Sequence, residues 1–358
     1  MTPPEILKPE ERVAFALRAL YRSYGYSQFR MSKFEEYDFY VRNKSFLVSD
    51  NIITFTDTNG KLMALKPDVT LSIIHNTRDC ETGTRKVYYH ENVYRPARGS
   101  HTYCEIPQVG LECIGEVDDY AVSEVLTLAA NSLAEIAPRY SLNLSHLGLL
   151  SELIRRAGFP EQTHPELFRL IGEKNIGEIR LLAARSGVSE EQLLGLISLL
   201  SASGEPKQTL KLLSELCTDD GWQRELDRFR RVIDALPADR IRLDFSVVGD
   251  RNYYNGIVFH GYAEGVPTRV LSGGQYDKLM QKLGRSSGAI GFAVYLDRIE
   301  RLDPPAEDYR VDTVVLYRDD TDPATVSKVV RELTAAGKRV IAAKRLPELP
   351  VWRDLIRL

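Results

Sequence analysis

The sequence predicts an α+β fold, an antiparallel sheet flanked by helices, interrupted by an all-helical insertion and followed by a short C-terminal β-α-β unit. Three observations predict it. Strand-like segments succeed one another between residues 50 and 116 and return after residue 242. A Leu-, Glu- and Arg-rich stretch with helical periodicity, from Ser151 to about Ala238, separates the two groups. The last fifty or so residues then read strand, helix, strand. The expected organisation is a core over residues 1–302 with the helical insertion 151–238 inside it, and a C-terminal α/β unit over 306–358. At 358 residues the chain exceeds what one ordinary core organises, which agrees with more than one structural unit.

Taken in order, Val13, Ala14, Leu17, Leu20, Tyr21 and Tyr24 recur at spacings of three and four, which predicts an amphipathic helix from Pro9 ending near Gly25. Residues 50–66 are two β-rich runs joined by Asn59-Gly60, a pair that suits a tight hairpin turn. Residues 85–94 and 104–116 read as strands around a Pro/Gly/Ser-rich loop, and a helix is expected from about Asp119 to Ala137. Another strand is expected over 139–147. After the insertion, strands are predicted at Arg242–Val248, Ile257–Tyr262 and Thr268–Leu271, followed by the glycine-containing SGGQYD and a final helix after Gly291. Asp303-Pro304-Pro305 reads as a linker. Beyond it VDTVVLY, a helix through Thr325–Ala336 and KRVIAA form one β-α-β unit, too small to bury a core alone.

Composition excludes several function classes. With 43% hydrophobic and 27% charged residues the chain is globular in character, and a formal net charge of -3 supplies no basic field for a polyanion. Cys80, Cys104, Cys113 and Cys217 form no C-x-x-C pair, and His90, His101 and His260 lack ligand spacing, so no metal site is expected. The N-terminus carries charge almost at once, and no run of 18 apolar residues occurs, so neither a leader nor a membrane span is expected and a cytoplasmic location is. No G-x-G-x-x-G, Walker loop, H-E-x-x-H or G-x-S-x-G is present, and no nucleophile or cofactor is indicated.

What stands out is a set of polar residues within strand-like apolar sequence: Lys66-Pro67-Asp68-Val69-Thr70, Tyr94-Arg95, Gln108 with Glu112, Tyr253-Tyr254, and Gln275-Tyr276-Asp277. Gln108 and Glu112 are four apart, so on a strand both face the same side of the sheet. Converging acids, an arginine, an amide and tyrosines suit a small zwitterion, with acids for its amino group and Arg95 for its carboxylate. Taken singly, a strand tyrosine is more often a core residue, and a lone Glu or Arg more often half-exposed surface. Adjacent glycines such as those of SGGQYD more often mark a bulge or tight turn than a ligand cradle. The Arg98-Gly99-Ser100-His101 loop suits a mobile binding loop, but exposed loops of that composition are commonplace.

As an ordered set, these segments resemble the core of class II aminoacyl-tRNA synthetases, and specifically the histidyl enzyme, over roughly residues 8–302. Leu65-Lys66-Pro67-Asp68-Val69-Thr70 resembles the family's L-R-P-[ED]-x-T segment, Val93-Tyr94-Arg95 the motif-two arginine, and Gln108-Val109-Gly110-Leu111-Glu112 the substrate-facing Q-x-G-x-E strand. Asn252-Tyr253-Tyr254-Asn255-Gly256 with Val258-Phe259 is similar to the histidine-specific D-Y-Y-x-x-x-V-F strand, and Gly273-Gly274-Gln275-Tyr276-Asp277 to G-G-R-Y-D. Gly291-Phe292-Ala293 with Asp297-Arg298 resembles motif three. The resemblance implies a class II synthetase-like antiparallel sheet, and a histidine-binding set made of Asp68, Thr70, Arg95, Gln108, Glu112, Tyr253, Tyr254 and Tyr276.

The departures fall on the half of the family's site that handles ATP. Ala97 replaces the glutamate that follows the motif-two arginine by two residues, and Gly249 replaces an arginine that stabilises charge at the reacting phosphate, with Arg251 two residues away. Tyr295 stands where motif three has a small glycine. Losing a preorganised cation at developing charge typically costs orders of magnitude in rate. An amino-acid pocket retained beside altered ATP machinery, with a C-terminal unit shorter than an anticodon-binding domain, resembles the regulatory subunits that accompany short-form ATP phosphoribosyltransferase. That resemblance implies no catalytic residue of its own, a homodimer through the core and assembly with the catalytic subunit as a hetero-octamer. It further implies activation of that partner, and histidine as the effector of feedback inhibition in the first step of histidine biosynthesis; tRNA is not expected as a partner. The alternatives are a true histidyl-tRNA synthetase, and a synthetase-like sensor of amino acid or tRNA, which the basic Lys338, Arg339, Lys344 and Arg345 would serve if they formed a groove.

Overall fold

The computed structural model describes residues 7–44, 52–77, 82–96, 102–217, 219–237, 239–249, 253–300, 302, 311–346 and 352–358. Ala97 and the Arg98–His101 loop, Cys80, Asp250 to Asn252 with Arg251, and Asp303 to Pro305 lie outside the described residues. The chain divides into two compact units, Met1–Leu302 and Asp303–Leu358.

In the first unit, α1 (Pro9–Ser23) starts with proline in its first turn and Glu11 accepting from the Lys8 amide at 2.9 Å, a one-sided cap that helps fix where the helix begins. After a two-residue β1 (Ser27–Gln28) come β2 (Phe34–Glu36), α2 (Tyr37–Arg42), β3 (Thr54–Thr56) and β4 (Leu62–Leu65). β3 and β4 are antiparallel across the Asn59-Gly60 turn, where Gly60 has φ +81°, and β2 completes a small three-stranded sheet. Helix α3 (Val69–Asn76) follows where strand-like sequence was expected; Asp68 caps it.

The long hairpin β5 (Thr84–Pro96) and β6 (Tyr103–Gly115) supplies the middle of the main sheet, and α4 (Asp119–Ile136) and β7 (Tyr140–His146) close this half. Helices α5 (Leu147–Ala157), α6 (His164–Gly172), α7 (Ile176–Arg185), α8 (Glu190–Ser201), α9 (Pro206–Leu216) and α10 (Asp220–Asp234) form the helical stretch, which begins four residues earlier than its composition suggests. It is stitched to the sheet by a two-bond bridge between Gly204 and Leu243. Leu153, Leu196, Leu226 and Phe229 of this stretch share one core with Leu133 of α4 and Phe259 of the sheet.

The returning strands differ from expectation. β8 is only Ile241–Leu243, β9 is Ile257–Ala263, and β10 is Leu271–Gln275, so the SGGQ glycines are strand interior and neither bulge nor turn. Their size has a packing reason: a Cβ on Gly274 would come within 2.7 Å of the Tyr254 ring. After a short α11 (Asp277–Lys282), β11 (Gly288–Tyr295) replaces the expected helix after Gly291. A central strand buried on both faces carries a near-continuous apolar run, which periodicity cannot separate from a short helix.

The eight strands lie in the order β1-β5-β6-β11-β10-β9-β7-β8, antiparallel except for the β1–β5 and β7–β8 pairs. Adjacent residues enter opposite cores: Tyr88 joins α1 and α4, whereas Tyr89 joins α2, α3 and α11 on the other face. The second unit contains β12 (Val311–Leu316), α12 (Pro323–Ala335), β13 (Val340–Ala343) and β14 (Trp352–Arg357). The expected β-α-β unit is therefore extended by a third strand, all three parallel in the order β13-β12-β14. Of the four basic residues singled out there, Lys338 pairs with Asp354, Arg339 with Asp312, and Lys344 with Asp319.

Candidate functional site

The eight residues singled out in the sequence line one cavity of about 450 Å³ on the face of the main sheet that carries α3 and α11. They do not all arrive on strands. Gln108 and Glu112 do, on β6, with their side chains on one face as the spacing requires. Asp68 and Thr70 come from the start of α3, Tyr253 and Tyr254 from the segment before β9, and Tyr276 from the residue before α11.

Glu112 is the centre of the acidic end. It is 2% exposed, and its two carboxyl oxygens accept from Thr70 Oγ1 and Tyr276 Oη, each at 2.6 Å. Burial raises its pKa to about 8 despite these two bonds, which favour the charged form. The strand beside it must be bare here, because a Cβ on Gly291, its register partner, would overlap the carboxylate. Tyr276 and Tyr253 are held well above the ordinary phenol range by burial and remain protonated donors. Their rings lie 5.6 Å apart, and Tyr253 and Tyr254 4.7 Å apart, forming an aromatic wall.

Asp68 serves the fold as well as the cavity. One carboxyl oxygen caps α3 by accepting from the Leu71 amide at 2.9 Å, and the other stands 3.4 Å from Arg95. Arg95 also donates through Nε to the Pro67 carbonyl at 2.7 Å. The arginine expected to hold a carboxylate is thus already engaged by the chain that carries Asp68. Gln108 is 4% exposed, yet its amide makes no hydrogen bond to any described residue. The amide opens onto the cavity and is therefore placed to bond a ligand or water there.

On the far side of the cavity Gly249 has φ +54°, and a Cβ there would meet the Tyr254 ring at 2.9 Å. Tyr295, beside Gln108 in the sheet register, is covered by the Arg298 guanidinium at 4.2 Å from its ring centre. His260, Arg269, Ser246 and Ser272 complete this end. Sequence reasoning missed Tyr89, which shares the cavity face with Arg95; its even separation from Arg95 on β5 was the available signal. It also missed Arg269, for which the spacing offered none. Among the described residues no group of three or more His, Cys, Asp or Glu side chains is placed to hold a metal, and no helix is long and apolar enough to cross a membrane.

Residues 1–299 match the histidyl-tRNA synthetase family model. The ATP phosphoribosyltransferase regulatory subunit of Oceanobacillus iheyensis is 27% identical over 351 residues, covering 94% of this chain and 85% of its own length. A histidine–tRNA ligase of Methanocaldococcus jannaschii is 25% identical over 303 residues, covering 83% and 72% respectively. Among solved structures, an ATP phosphoribosyltransferase regulatory subunit/histidyl-tRNA synthetase from Bacillus halodurans superposes with a TM-score of 0.80 at 23% identity, covering all of this chain and 96% of that one. A chain of the ATP phosphoribosyl transferase HisG:HisZ complex from Thermotoga maritima gives 0.62 at 20% identity, covering 79% and 96%. The fold is therefore the class II synthetase-like one, and the chain resembles the proteins called ATP phosphoribosyltransferase regulatory subunits.

Proposed function

The chain belongs to the histidyl-tRNA synthetase family, and from that premise we propose that it is a regulatory member, one that activates a separate ATP phosphoribosyltransferase catalytic chain and makes it sensitive to histidine. The observation that carries the reading is the asymmetry of the cavity. One end keeps buried, converging polar groups, including a Gln108 amide with no partner among the described residues. The other end has glycine at 249, pinned by Tyr254, and Tyr295 under Arg298, where the family resemblance places an arginine and a glycine.

In this reading Asp68 and Gln108 meet the ammonium group of histidine, and Glu112 with Tyr276 meets an imidazole nitrogen. Thr70 fixes the Glu112 carboxyl, Tyr253 and Tyr254 flank the ring, and Arg95 holds Asp68 in place. None of these groups is assigned a catalytic step. Inhibition requires only that histidine bind one state of the assembly better than another, with a coupling of about 1–3 kcal/mol. A homodimer through the core, a hetero-octamer with the catalytic chain and a cytoplasmic setting complete the proposal. The two family names among the relatives and the T. maritima complex support it.

The deciding experiment measures phosphoribosyl-ATP formation by the short catalytic chain of the same organism, with and without this protein and with added histidine. Activity that needs the mixture and falls with histidine is the expected result. A silent mixture together with histidine-dependent pyrophosphate exchange by this chain alone would replace the proposal with the synthetase reading.

A further inference from the structure

The acidic end of the cavity accounts for the nitrogen groups of an amino acid; its carboxylate needs a cation, and the structure offers Arg269 at the opposite end. Across the sheet Glu112 pairs with Gly291, Gly291 with Gly274, and Gly274 with Val258, while His260 lies two residues further along β9. Three strand steps across and two residues along amount to about 14 Å by about 7 Å between backbones. With a glutamate reaching in from one end and an arginine from the other, the span left between them suits one small amino acid.

The two arginines of the cavity are in different electrostatic states. Arg95 has Asp68 at 3.4 Å and the Pro67 carbonyl at 2.7 Å, so its charge is already matched. Half-buried Arg269 has as its hydrogen-bond partner among the described residues the Nε2 atom of His260, at 3.1 Å. His260 is neutral, its pKa pushed down to about 3 by burial and then by the Arg269 charge. A neutral ring nitrogen that accepts this bond aims the guanidinium without cancelling its charge. The Arg269 carbonyl is in turn held by the Arg298 side chain, whose guanidinium covers Tyr295. A partly desolvated guanidinium, aimed by a neutral ring and with no carboxylate partner among the described residues, is a carboxylate receptor, and planar forked donors suit that anion.

We propose that Arg269, oriented by His260, binds the α-carboxylate of the amino acid whose nitrogen groups face Asp68 and Glu112. Arg269 thereby supplies, from the connection between β9 and β10, a cation that position 249 cannot supply because its backbone and the Tyr254 ring leave no room for a side chain. The inference rests on the amino-acid-pocket reading above and assigns a residue that the motif comparison does not reach.

The test is calorimetric titration of the full chain with L-histidine and with L-histidinol, which carries an alcohol in place of the carboxylate. The unaltered protein should prefer histidine. Arg269→Gln should weaken histidine by about 10- to 100-fold, the loss of one charge-assisted pair, and leave histidinol unchanged. Arg269→Lys should recover part of the histidine affinity. Equal losses for both ligands, or an unchanged histidine affinity in the Gln variant, would overturn the inference while leaving the pocket reading intact. If neither substitution gives a folded protein, the unaltered chain still decides, since equal affinity for histidine and histidinol overturns the carboxylate contact. A chain that binds neither ligand overturns both readings.

Discussion

Glu112 lies between two hydroxyl donors and is almost wholly buried, so its proton is linked to folding. Below about 4.5 the carboxyl is protonated whether the chain is folded or not. Between there and about 8 the unfolded chain releases a proton that the folded chain keeps, so stability falls as pH rises, by up to about 1.4 kcal/mol per unit. Above about 8 the loss is complete. Glu112→Gln keeps the shape and removes the titration. Urea melts at about pH 5 and pH 8.5 should therefore show the variant gaining on the parent at the higher pH by several kcal/mol. A constant difference between the two would mean that the folded protein lets this carboxyl ionise freely. Single residues of this kind were partly legible. Gln108 and Glu112 declare a shared face because strand periodicity is two, and the ordered motifs supplied the tyrosines. His260 and Arg269 were not legible, because their contact joins two elements through the reach of a long side chain.

At the scale of elements, the junction between Asp68 and α3 shows how one residue can serve fold and ligand together. The cap satisfies an amide that the first turn of a helix leaves without a partner. Asn caps as well as Asp does, so Asp68→Asn should leave the thermal midpoint nearly unchanged, whereas Asp68→Ala should cost about 1 kcal/mol. Both should weaken histidine binding, because both remove the charge. If the Asn variant bound histidine as tightly as the parent, the carboxylate would be structural only. The same junction explains why α3 left no sign in the sequence: Lys66-Pro67-Asp68-Val69-Thr70 is β-branched and proline-bearing, and its helical part is short and almost wholly buried, so no polar face marks the period. β11 hid for the opposite reason, since a strand covered on both faces shows no alternation. The β3–β4 hairpin and α1 were readable because each has an exposed side.

For the whole molecule, a ligand that binds the folded chain and not the unfolded one raises stability by mass action. Histidine at one hundred times its dissociation constant should add about 2.7 kcal/mol, a rise of a few degrees in a thermal scan, and alanine at the same concentration should add nothing. No movement with histidine would show that the cavity serves another molecule. Descent offers a different view of Gly249. An arginine restored there would have to hold a backbone with φ +54° and place its first side-chain carbon 2.9 Å from the Tyr254 ring, while Tyr295 and Arg298 still filled the neighbouring space. On the proposed reading the position acts as a ratchet: a backbone settled around glycine at 249 resists any larger residue, because a side chain there strains the φ +54° backbone and meets the Tyr254 ring.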